Sequence, residues 1–152
     1  MTESQWTTMN NPRFGYSLAL PAGYHEFPAD PSHSPWEVAR FLRRDHTSHL
    51  CLVFRMPGRI DLDPRESAER SRMRLEAKGF VDFAFSEVDM GARRGTLLTF
   101  QKPKENAELW SAREYFVTAG SLVYCLGLGT GDRSGDAEVF DRIARGFEVA
   151  EA

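Results

Sequence analysis

Between residues 63 and 80 runs DPRESAERSRMRLEAKGF, a helix marked at both ends in a chain whose other segments alternate like strands. Asp63 can accept from the first free amides, Pro64 suits the first helical position, and Glu66 three residues on completes a capping box. Gly79 supplies the left-handed residue that ends many helices. Inside, only Ala68, Ser71 and Leu75 line up at helical spacing, with Met73 and Ala77 to the side. So narrow a stripe can lie on a sheet but cannot form a core. The strands must make the fold.

Those strands are read from period-two alternation at 13–20, 36–43, 49–56, 80–88, 93–101, 110–118 and 121–128. Residues 44–48 form a plausible hairpin, and Ala119-Gly120 is a two-residue turn with the glycine that such turns favour. Short turns force antiparallel pairing. A second helix is expected over 136–145, where Phe140, Ile143, Ala144 and Phe147 keep helical spacing, Asp136 and Glu138 stand at the start and Gly146 follows the end. Residues 1–12 read as a frayed lead-in, and the proline-rich stretch 24–35 as an irregular loop. The result is an α+β fold, an α/β/α sandwich with a central antiparallel sheet of about six or seven strands and main helices at 63–79 and 136–145. The 152 residues are expected to form one domain.

Charge narrows the function. At a net charge of −3 there is no electrostatic case for binding nucleic acid or anionic membrane. The longest apolar run, 122–128, is too short to span a bilayer. The opening MTESQWTTMNN has neither a basic nor an apolar signal region, so a cytoplasmic location is expected.

Motifs with chemistry are weak. His46, His49 and Cys51 have metal-ligand types but no fourth ligand, and the bland reading is a turn with a buried thiol. Gly127, Gly129 and Gly131 precede the second helix, yet Ser134 breaks the phosphate-loop spacing. Cys51 and Cys125 sit among apolar strand residues with no base nearby and read as buried thiols. The Asp61/Asp63 and Glu66/Glu69 carboxylates read as caps and a solvated face. Arg70, Arg72 and Arg74 are expected on different sides of the helix. The sequence therefore names no catalytic residue, cofactor or metal.

Strand parity sorts the remaining residues. Leu50, Leu52, Phe54, Phe83, Phe85, Leu122, Tyr124 and Leu126 are expected on one face, beneath the helices. Cys51, Val53, Arg55, Arg113, Tyr115, Val123 and Cys125 are expected on the other, with the two cysteines as neighbours. That second face is either covered by the 24–35 loop or an interface.

The order of these features resembles the PsbP-like superfamily. The resemblance rests on Phe14, Tyr16, Ser17, Pro21 and Gly23 near the start, on Lys78-Gly79-Phe80, on Arg113 to Tyr124, and on Phe140 to Phe147. Tyr24 departs from it, standing where relatives often carry Trp. The superfamily implies an antiparallel sheet between helices, and members that include photosystem II accessory subunits, a Ran-binding import factor, bacterial lipoproteins and adaptor-chaperones. What it implies for this chain is a non-enzymatic protein-binding module, whose partner is another protein or a second copy of the chain. The partner surface is expected at Trp36, Arg40, Arg55, Trp110, Arg113 and Tyr115. The alternative is a small-molecule-binding protein or an enzyme, with a pocket between the 24–35 loop and the sheet lined by Tyr24, His25, Trp36 and Trp110.

Overall fold

The computed structural model describes residues 5–43, 49–103, 109–130 and 136–150. In chain order the elements are β1 (Trp6–Asn11), β2 (Tyr16–Pro21), β3 (Tyr24–Phe27), β4 (Glu37–Arg43), β5 (Leu50–Pro57), α1 (Pro64–Ala77), β6 (Val81–Met90), β7 (Arg93–Pro103), β8 (Leu109–Ala119), β9 (Leu122–Thr130), α2 (Asp136–Arg145) and β10 (Glu148–Val149). Seven strands pair antiparallel in the order β3-β4-β5-β9-β8-β7-β6, and β1-β2-β10 make a second, three-stranded sheet. The α+β architecture expected from the sequence is present. Two segments differ from expectation: residues 6–11 of the supposed lead-in form β1, and 24–27 of the supposed loop form β3. Both are short strands at sheet edges, where backbone pairing outweighs a weak side-chain pattern.

Local signals place the ends of the elements. The Asp63 side chain accepts from the Arg65 amide at 3.0 Å, and Pro64 opens α1. Glu66 does not reach back to the cap; it pairs with Arg59 at 2.7 Å, so the capping box is only half made. At the far end Gly79 has φ +93°, with Gly79 N–H donating to Glu76 O and Phe80 N–H to Leu75 O. That pair of bonds is a Schellman motif, and it satisfies carbonyls the helix would leave open. The hairpin turn is Gly120-Ser121, one position beyond the expected Ala119-Gly120, so Ala119 pairs with Leu122.

Register then decides the faces. Opposed residues share a face, and Leu52 stands opposite Gly127 while Val53 stands opposite Leu126. Tyr124 and Leu126 therefore lie with Cys51, Val53 and Tyr115, against the expectation from parity. Val123 and Cys125 lie with Leu52 and Phe54. Alternation within one strand is legible, but its phase relative to the next strand is set by pairing. The two cysteines consequently sit on opposite faces.

The face carrying Cys51, Val53, Tyr115, Val117, Tyr124 and Leu126 is covered by α2 and the small sheet. Leu18 and Leu20 of β2 and Phe140, Ile143 and Phe147 from the α2 region close onto it. Tyr16 stacks on Phe147 with ring centroids 5.7 Å apart, and burial pushes the Tyr16 hydroxyl pKa up to about 12. The Tyr124 hydroxyl donates to the Phe14 carbonyl at 2.6 Å, tying the two sheets together. Of the 24–35 stretch, Tyr24 is among the buried residues of this core. The opposite face bears α1, which packs mainly on β7 and β8 over Leu98, Phe100 and Phe116.

Candidate functional site: a cleft beside the first helix

Because α1 has so little to bury, it covers only part of its face. Ala68 and Ser71 are its buried residues, Leu75 is half-buried and Met73 is 63% exposed. Across β9 and β5 the sheet is left as the floor of a cleft. Its first hollow, about 290 Å³, is lined by Ser34, Trp36, Phe54, Met56, Ser71, Arg74, Glu114, Phe116 and Cys125. A second hollow of about 170 Å³ continues from Phe54 and Glu114 to Leu52, Leu75, Phe80 and Gly127.

The wall opposite α1 is the segment 28–36, and one carboxylate holds it. Glu37 accepts from the Asp30 amide at 2.7 Å and from Arg40 Nε and Nη2 at 2.9 Å each, with His33 Nδ1 at 2.8 Å. Burial works to raise the Glu37 carboxyl pKa, but the bonds from Arg40, the Asp30 amide and His33 outweigh it and hold the pKa below the usual range. The pinned segment sets His33 against Phe54, ring centroids 6.1 Å apart, and leaves Trp36 44% exposed at the cleft.

The floor holds a group that pattern reading passed over. Glu114 of β8 stands opposite Gly127 and Leu98, on the α1 face, with its carboxyl accepting from the Ser71 hydroxyl. Burial raises its pKa, opposed by the Ser71 bond and the nearby Arg74 charge, and the balance leaves the carboxyl displaced toward its neutral form. One signal was available: a Glu between Ala112 and Phe116 on the apolar side of a central strand. Gly127, weighed above as part of a phosphate loop, instead leaves the floor open beside Phe54.

Of the six residues of the expected partner surface, Arg113 and Tyr115 are brought together, but within the fold. Tyr115 has no exposure and lies in the core beneath α2. Its hydroxyl donates to Asp141 Oδ1 at 2.8 Å, and Arg113 donates to both partners, at 2.9 Å to Tyr115 and 2.6 Å to Asp141. This triad fastens α2 to the sheet. Arg55 also lies on the α2 side, its Nε buried and without a hydrogen-bond partner among the described residues. Arg40 is engaged with Glu37, Trp36 lines the first hollow of the cleft, and Arg113 borders the second. Trp110 stands opposite Lys102 in β8, its side chain outside those described.

The other candidates resolve similarly. Tyr24 is buried in the core under the small sheet, and His25 is exposed on β3, so the pocket expected from Tyr24, His25, Trp36 and Trp110 is not assembled as such. His49 is 3% exposed, edge-on to Phe140. His46 and Gly131 lie outside the described residues. Among the described residues no three His, Cys, Asp or Glu gather as a metal site. Burial pushes the Cys51 and Cys125 thiols well up, for Cys125 with a smaller contribution from the neighbouring Glu114. No described helix is long and apolar enough to cross a membrane.

No family profile matches the sequence, and no curated protein matches it. Solved structures do match the fold. The solution structure of cyanobacterial PsbP (CyanoP) from Synechocystis sp. PCC 6803 superposes with a TM-score of 0.75 at 15% identity, covering 99% of this chain and 95% of that one. A crystal structure from Bacteroides thetaiotaomicron VPI-5482 gives a TM-score of 0.68 at 13% identity, covering 97% of this chain and 49% of the other. LpqN of Mycobacterium tuberculosis, described as involved in cell envelope biogenesis, gives 0.56 at 16% identity, with 95% and 90% covered.

Proposed function

Starting from a PsbP-like fold, we propose that this protein is a non-enzymatic binding module that takes an apolar segment of a protein partner into the cleft beside α1. The cleft carries the reading: an exposed Trp36 and half-buried Phe54, Leu75 and Phe80 surround a floor opened by Gly127. Concave apolar surface with a few convergent polar groups is what binding sites share, and exposed aromatic anchors dominate recognition. The nearest polar groups, Glu114 and Ser71, are bonded to each other, and Cys125 is held as a thiol, so the cleft presents contacts rather than a nucleophile with its base.

A photo-crosslinking amino acid placed at Trp36 in the full chain tests this. Adducts to a polypeptide are expected from position 36 and not from position 73, which is exposed on the helix. Gly127→Val narrows the floor, since a Cβ there would lie 3.5 Å from the Phe54 ring, an ordinary contact. It is expected to remove the adducts while shifting the melting temperature by no more than about 2 °C. Equal labelling from both positions, or adducts indifferent to Gly127→Val, would overturn the reading.

A further inference from the structure

At the open end of this cleft the chemistry changes from apolar to cationic. A third hollow, about 360 Å³, shares Met56 and Arg74 with the first and is lined further by Arg59, Arg70, Ser67 and Leu62. Arg70 and Arg74 are four residues apart and thus neighbours on the helix surface. Arg59 joins them from the segment between β5 and α1. The expectation that the helix arginines are dispersed holds for Arg72, which pairs with Glu76 at 2.8 Å, but not for these two. Glu66 bridges Arg59 and Arg70, at 2.7 and 3.1 Å, the one carboxylate that pairs with the three guanidinium groups among the described residues, while the Glu114 carboxyl lies near Arg74.

The juxtaposition restricts what can lie along the cleft. One end is lined by Leu52, Leu75 and Phe80 and the middle by Trp36, Phe54 and Phe116, and both ask for apolar side chains. The other presents planar cationic forks, which match a carboxylate. Where the two apolar hollows meet, the Ser71–Glu114 pair offers hydroxyl and carboxyl groups on an otherwise apolar floor. A hydrocarbon tail would desolvate that pair without a return bond, whereas a peptide backbone can bond to it.

We propose that the cleft receives the apolar C-terminal segment of a partner polypeptide, with its terminal carboxylate between the guanidinium groups of Arg59, Arg70 and Arg74. The proposal rests on the cleft being the binding site, as argued above, and adds which end of the partner enters and what holds it. Terminal carboxylate and apolar side chains are then read together, so an internal apolar segment is disfavoured and so is a charged terminus.

The test uses the immobilised full chain and a pool of N-acetylated hexapeptides with apolar C-terminal residues, made once as free acids and once as amides. Free acids are expected to be retained at least about tenfold better than amides, the preference falling as salt rises. Arg74→Gln is expected to erase the preference at unchanged melting temperature, and Arg59→Gln to reduce it. Gly127→Val is expected to release both pools. Equal retention of acids and amides, lost in Gly127→Val, overturns the carboxylate clasp while leaving the cleft as a binding site. Retention of neither pool, or retention indifferent to Gly127→Val, overturns the clasp; whether the cleft reading falls with it is read from the crosslinking at Trp36. Displacement of the peptides by dodecanoate but not by an excess of unlabelled free-acid peptide shows an amphiphile site and also overturns it.

Discussion

The two faces of the seven-stranded sheet are covered by unequal amounts of apolar surface, and the difference separates an enclosed core from a reachable cleft. On one side α2 and the three-stranded sheet bring Leu18, Leu20, Phe140, Ile143 and Phe147 down on Tyr115, Tyr124 and Leu126. On the other, α1 brings little more than Ala68, Ser71 and Leu75, so a strip of sheet over β5 and β9 remains reachable. A helix rich in Arg and Glu with a narrow apolar stripe acts as a partial lid. Its own stability comes from its caps and from exposed pairs such as Arg65–Glu69 and Arg72–Glu76, each a modest contribution.

Substitutions on the two faces should break this comparison most visibly. Leu126→Ala, with no exposure in the enclosed core, is expected to cost about 3–4 kcal/mol in urea unfolding. Phe54→Ala, in the cleft and half-buried, is expected to cost less than half of that, about 1 kcal/mol, despite removing a larger side chain. Equal costs would mean that the α1 face is as enclosed as its opposite, and the cleft would lose its standing. Next in size is the helix stop. Gly79 is left-handed with open space around its Cα, so Gly79→Ala should cost about 1 kcal/mol from backbone strain alone. A neutral outcome in thermal melting would show that the Schellman turn contributes nothing to the lid.

The smallest effect concerns Glu114. Its folded-state pKa is raised, so the stability linked to its protonated form is present below the unfolded value, near 4.3, and is lost as pH rises through the raised one. Wild type and Glu114→Gln should therefore melt alike near pH 4 and diverge above it, the variant becoming the more stable, by at most about 1 kcal/mol. A difference of the opposite sign, with wild type becoming the more stable as pH rises, would place the carboxylate in a stabilising ion pair instead, with Arg74 as its partner.

Much of this could be read from the chain, and the misses share one cause. Alternation places Arg113 and Tyr115 together on a mixed face, which suggests surface anchors. The structure buries Tyr115 and gives Arg113 an internal partner, Asp141, 28 residues away. Likewise Glu114, a single carboxylate in a strand, is ordinary in sequence until its facing residue proves to be glycine and the helix above it supplies a serine. Such meanings depend on partners distant in sequence.

Local chemistry alone determined the capped helix from Asp63 to Gly79, the hairpin around Gly120, the antiparallel α+β class and the thinness of the helical stripe. Each depends on backbone conformation or side-chain spacing within a few residues, where propensity acts directly. Only the tertiary structure decided which face each strand presents, because a shift of one residue in register exchanges the two faces at no cost to the local pattern. It decided too that the second face is closed by α2 and a small sheet, and that the open ground lies beside α1. There Trp36, Phe54, Glu114, Gly127 and three arginines meet from six separate stretches of chain.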